Sequence, residues 1–146
     1  MYAELSQLVG WSLYDLGDYQ NALYYYDDAR TAAHDAQNVG LVTYVLCNMS
    51  QLLTWQGKPR VAIDHAVAAA SWARQIDGPH ARAYAADVAA RAYLADGQPD
   101  RCRDALADEH AAIRDVDHEA PVSGWWYFLD ESFYWGTEAQ HALKCQ

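Results

Sequence analysis

The stretch SLYDLGDYQNALYYYDDA, residues 12–29, decides how the chain is read. An apolar helical end runs into Leu16-Gly17-Asp18-Tyr19, and a second amphipathic segment starts at once. One continuous helix through Gly17 would carry a penalty of about 1 kcal/mol relative to alanine. Just past a helix end, by contrast, glycine enters the left-handed conformation without a Cβ clash. The same grammar returns in LLTWQGKPRVAIDHAVAAA, residues 52–70, and AYLADGQPDRCRDALADEH, residues 92–110. Gly17, Gly57 and Gly97 are spaced 40 residues apart. After one intervening residue comes Tyr19, Pro59 or Pro99, and three residues further Ala22, Ala62 or Cys102. Proline suits the first turn of a new helix, where no N–H is needed. A small residue at 22, 62 and 102 lets the second helix approach the first closely. Equal intervals with the same local chemistry define a repeat array in which each unit is an αα-hairpin.

The expected fold class is therefore all-α: a helical-repeat array at a 40-residue period plus a C-terminal helix. Helices are expected over 3–16, 18–36, 40–56, 58–76, 80–96 and 98–115, with a last one from about 123. The breaks AQNVG, IDGPH and HEAPVSG carry the Asn, Gly and Pro that end helices. The chain reads as a single domain, 1–146, with units of about 1–39, 40–78 and 79–118 and a partial fourth unit over 119–146. Ala142 falls at the repeat interval after Cys102, but the turn of the fourth unit is ambiguous. Either Gly136-Thr137 starts a new helix, with Thr137 and Gln140 at capping-box spacing, or one helix runs on.

Composition narrows the function. The 146 residues are 52% hydrophobic, which supports a real core, and no apolar run is long enough for a membrane span. The opening MYAELSQLVG lacks the basic and apolar regions of a secretory signal. Cys47, Cys102 and Cys145 are odd in number, widely spaced and without a CxxC pair. That pattern predicts no disulfide framework and a reducing, cytoplasmic setting. A formal charge of −10, with only Arg101 and Arg103 close together, argues against direct nucleic-acid contact by this chain.

The grammar resembles the tetratricopeptide repeat (TPR). Unit one carries it best, in Gly10, Gly17, Tyr19, Ala22, Tyr26 and Ala29. Unit two keeps Ser50, Gly57, Ala62, Ala66 and Ala69, and unit three keeps Ala90, Tyr93 and Gly97 but has Cys102 and Glu109 where alanines are usual. The family period is about 34 residues, so each hairpin here is longer and the superhelix geometry need not be the standard one. More narrowly, LGDYQNALYYYDDARTAAHDAQN, GKPRVAIDHAVAAASWA and WWYFLDESFYWGTEAQHAL are similar in texture and order to the C-terminal repeat region of actinomycete-type (XRE-like) helix-turn-helix transcriptional regulators. That resemblance implies a part that senses ligands or partners for an attached DNA-binding domain. No helix-turn-helix segment is evident in this chain, so it reads as either a fragment of a regulator or a stand-alone relative.

The resemblance also implies a concave groove lined by the first helix of each pair. Transferred residue by residue, its lining is Gln7, Trp11 and Tyr14 in unit one, and Tyr44, Cys47, Asn48, Gln51 and Trp55 in unit two. Tyr84, Asp87 and Arg91 follow in unit three, and Tyr127, Glu131 and Tyr134 in the last helix. Aromatic rings with a few amide and charged tips suit a peptide, a protein partner or a small ligand. Asn48 matches a groove asparagine that holds ligand backbone in peptide-binding relatives, whereas the basic residues of a carboxylate clamp are replaced by Gln7, Trp11, Tyr84 and Val88. The dense stretch GWWYFLDESFYWG is apolar all round, so Trp125, Trp126, Phe133 and Trp135 form the expected dimer or partner surface.

Chemistry is harder to find. The cluster DVDHE, residues 115–119, lacks metal-ligand spacing, and no nucleophile elbow, Walker loop or dinucleotide fingerprint occurs. Cys47 has no evident base, and a buried small hydrophobe is its expected role. The expectation is a binding module with no catalytic residues, no metal and no cofactor. A dimerising scaffold without a small ligand is the alternative, and an enzyme using the aromatic groove is the weaker one.

Overall fold

The computed structural model describes residues 1–117. The expected terminal helix, the partial fourth unit, and Trp125, Trp126, Tyr127, Glu131, Phe133, Tyr134 and Trp135 lie outside the described residues.

Six α-helices follow one another: α1 (Tyr2–Asp15), α2 (Tyr19–Asp35), α3 (Val39–Trp55), α4 (Pro59–Ala73), α5 (His80–Ala95) and α6 (Pro99–Arg114). They pair as α1 with α2, α3 with α4 and α5 with α6, and consecutive pairs stack through α2 on α3 and α4 on α5. The described residues thus form an all-α helical-repeat array. The stretch that posed the question is two helices joined by a tight turn.

The three turns share one backbone mechanism. Gly17, Gly57 and Gly97 have φ of +79°, +72° and +72°. At each turn the glycine N–H donates to the carbonyl three residues back, Tyr14, Thr54 or Leu94, at 3.0–3.1 Å. The next N–H, of Asp18, Lys58 or Gln98, donates to the carbonyl five back, Leu13, Leu53 or Tyr93, at 2.9 Å. This is the Schellman arrangement, which satisfies carbonyls orphaned by the helix end. The next helix is then started in one of two ways. Asp18 accepts from the Asn21 N–H with its side chain, whereas Lys58 and Gln98 make no side-chain cap and are followed by Pro59 and Pro99 at the first turn.

Between units one and two the same pair of bonds ends α2, with Gln37 N–H donating to His34 and Asn38 N–H to Ala33. Here the left-handed residue is Gln37, φ 55°, and Asn38 caps α3 through the Leu41 N–H. The link between units two and three is longer. Helix α4 ends at Ala73 rather than at 76, and a run of turns and bends reaches Gly78, φ +88°, and Pro79 before α5 begins. The helix expected over 58–76 is therefore three residues shorter at its C-terminal end.

The core is made from small residues on the second helices and large ones on α3. Ala22, Ala29, Ala33, Ala62, Ala66, Ala69 and Ala73 are all fully buried. Every residue from 41 to 50 is buried, so α3 is enclosed along most of its length. Close approach within unit one depends on Gly10, where a Cβ would meet the Tyr26 ring. Cys47 is a buried free thiol, and Cys102 is fully buried.

Candidate functional site

The groove residues expected from the repeat pattern gather on the first helices, but most of them do not face solvent. Gln7, Tyr44, Cys47, Asn48, Tyr84 and Asp87 are buried; Tyr14, Gln51 and Arg91 are half-buried; Trp11 and Trp55 are exposed. Trp11 lies 6.0 Å from Tyr14, and Tyr44 lies 6.2 Å from Tyr84, between ring centroids. The Tyr84 hydroxyl donates toward Asn48 Oδ1 at 2.9 Å, with Gln51 Oε1 at 3.2 Å. Asn48, expected from the resemblance to hold ligand backbone, has its carbonyl oxygen engaged by a tyrosine of the next unit. Trp11, Tyr14, Tyr26, Asn48 and Gln51 surround a void of only about 10 Å³. That is room for roughly one water and for no peptide.

This seam is polar and electrically strained by burial. Asp87 is 1% exposed and pairs with Arg91 four residues on, at 3.1 Å. Burial raises its carboxyl above the usual range, and Arg91 opposes the rise. Burial also pushes the Cys47 thiol well up, with the Asp87 charge adding to it, so this thiol is not an activated nucleophile. Tyr84 is raised in the same way, first by burial and then by its neighbours Cys47, Tyr44 and Asp87.

Among the described residues, open space lies elsewhere, between units two and three. A cleft of about 610 Å³ separates α4 from α6, with α5 as its floor. Its origin is a comparison of equivalent positions 40 residues apart. Where α3 presents Val45, Leu46 and Met49, α5 presents Ala85, Ala86 and Ala89. Where α4 carries Trp72, α6 carries Ala112. In the earlier gap, between α2 and α4, Trp72 packs edge-on to His34 at 5.7 Å between centroids, leaving a hollow of about 310 Å³. Removing those side chains from the third unit opens the larger cleft.

Charges edge this alanine floor. Asp104 and Asp108 are exposed on the α6 wall, four residues apart and so on one helical face. Arg82 and Asp115 approach to 3.8 Å near one end, and Arg101 lies 5.7 Å from the Tyr93 ring centre near the other. Arg74 ends the α4 wall. Reading single aromatic and polar residues could not find this site, because its signal is the loss of bulk between equivalent positions.

Among the described residues, no three His, Cys, Asp or Glu side chains converge as a metal site, and no helix is long and apolar enough to cross a membrane. His118 and Glu119 of the acidic cluster lie outside the described residues. No protein-family model matches this chain, and no curated protein or solved structure matches it.

Proposed function

We propose that this protein is a TPR-like binding module, and that it takes a helix of a partner protein in the cleft between α4 and α6. The observation that carries the reading is the half-buried pair Ala86 and Ala89 on the cleft floor, set where the preceding unit has Leu46 and Met49. A volume of about 610 Å³ is in the range of functional clefts, and small residues let a guest helix lie close to α5. The exposed Asp104 and Asp108 favour basic residues four apart on the side of the guest that meets α6, while Arg74, Arg82 and Arg101 on the rest of the rim favour acidic groups elsewhere on it, and these attractions weaken with salt. The resemblance to the repeat region of helix-turn-helix regulators supplies the setting: a cytoplasmic sensor whose occupancy biases an attached DNA-binding domain. Such coupling requires that the partner bind the two states of that assembly with different affinity.

The test is to refill the cleft with the protein's own repeat equivalents, Ala86→Leu with Ala89→Met. Fluorescence anisotropy of labelled amphipathic helical peptides, with Lys pairs at i, i+4 and with Glu pairs as control, measures binding. The Lys peptides should bind wild type and lose at least about tenfold in affinity on the refilled variant, whose circular dichroism is unchanged. Equal binding to both proteins, or no preference for Lys over Glu, refutes the reading.

A further inference from the structure

The outer face of α1 is apolar and open. Leu5, Leu8, Val9 and Leu16 are 55%, 54%, 41% and 81% exposed, and with Ser12 they run along one side of the helix. The opposite side, through Ala3, Ser6, Gln7 and Gly10, is the buried one. Scattered exposed leucines need no explanation, but a stripe over about three turns does.

The repeat itself shows what belongs there. The counterparts of Leu5, Leu8, Val9 and Ser12 on α3 are Val45, Asn48, Met49 and Leu52, all buried. On α5 they are Ala85, Val88, Ala89 and Ala92, of which three are fully buried and Ala89 half-buried. Helix α3 packs on α2, and α5 packs on α4, the second helix of the unit before it. Among the described residues no second helix packs on α1 in that way. The stripe thus continues a series of inter-unit interfaces already seen twice in this chain.

We infer that the outer face of α1 is a docking surface for the second helix of a further hairpin unit of this repeat. The partner's chemistry follows from α2 and α4, whose buried faces are Ala22, Tyr26, Ala29 and Ala33, and Ala62, Ala66, Ala69 and Ala73. It is a helix with small residues at every turn, which lets the bulkier Leu5, Leu8 and Val9 interdigitate. The inference is independent of the cleft and of its guest.

A tandem variant tests it, with residues 1–40 fused ahead of the full chain. The 40-residue register then places the added copy of α2 before the downstream α1 as α2 stands before α3. Expected is a Tm rise of about 5 °C or more over wild type. The pair Leu5→Glu and Leu8→Glu in the downstream copy should abolish that rise, while the same pair in the unfused protein shifts Tm little. Failure of the tandem variant to gain stability overturns the inference, as does an equal effect of the Glu pair in both backgrounds. So does a concentration-dependent wild-type dimer that the Glu pair dissolves without any gain from the fused unit, because the cover would then be a second copy's α1.

Discussion

Gly10→Ala places two opposing effects at one atom. A Cβ at Gly10 would lie 2.8 and 2.9 Å from Cδ1 and Cε1 of Tyr26 and 3.3 Å from the Ala22 carbonyl oxygen. Ordinary carbon contacts are about 3.5–4.0 Å, so the ring must retreat by roughly 0.7 Å. Tyr26 is 1% exposed and has little room to do so. Overpacking of this kind costs about 1–3 kcal/mol. Replacing a helical glycine by alanine returns about 1 kcal/mol. The expected net change is a loss of roughly 0–2 kcal/mol. The third unit supplies the control, because the equivalents of Gly10 and Tyr26 are Ala90 and Leu106, which pack in one cluster. In a Tyr26→Leu background the clash is relieved, and Gly10→Ala should stabilise by up to about 1 kcal/mol. Urea unfolding followed by circular dichroism gives the four free energies of the cycle. The coupling should be about 1–3 kcal/mol, with Gly10→Ala more favourable in the leucine background. If Gly10→Ala has the same effect in both backgrounds, the tyrosine is not what demands the glycine.

Other substitutions read other parts of the argument. Gln37 adopts φ 55° at a position equivalent to a glycine cap, so Gln37→Gly should stabilise by about 1 kcal/mol, seen as a higher Tm. Tyr84→Phe removes the hydroxyl that serves Asn48 and Gln51 and should cost about 1–3 kcal/mol in urea unfolding. Asp87 holds its proton more tightly when folded than when unfolded, because its folded value lies above 3.8. Its stability contribution therefore falls as pH rises through 3.8 toward the raised folded value, and the penalty stays at neutral pH. The stability of wild type relative to Asp87→Asn should accordingly decline over that window, and a flat difference would contradict the assignment.

The turns were legible because their causes are local. Gly17, Gly57 and Gly97 each decide the conformation of one peptide and the two hydrogen bonds around it. The small residues that follow, Ala22, Ala62 and Cys102, were equally legible, and all are fully buried. Gln37 was not, since a glutamine gives no sign of a left-handed cap. The burial of the expected groove residues was not legible either. Tyr44, Asn48, Tyr84 and Asp87 are brought together by α3 against α5, and burial there depends on side chains far away in the chain.

The sequence by itself determined the period, the hairpins and the side of each second helix that is buried, because a helix end and an apolar stripe are properties of a few neighbouring residues. Only the tertiary structure decided which spaces between helices are filled. Among the described residues, the void beside Trp11 is closed to about 10 Å³, whereas the gap between α4 and α6 is about 610 Å³. The physical reason is that packing compares volumes across units: Met49 with Ala89, Trp72 with Ala112. No single helix carries that comparison, and it takes effect only when the units are stacked.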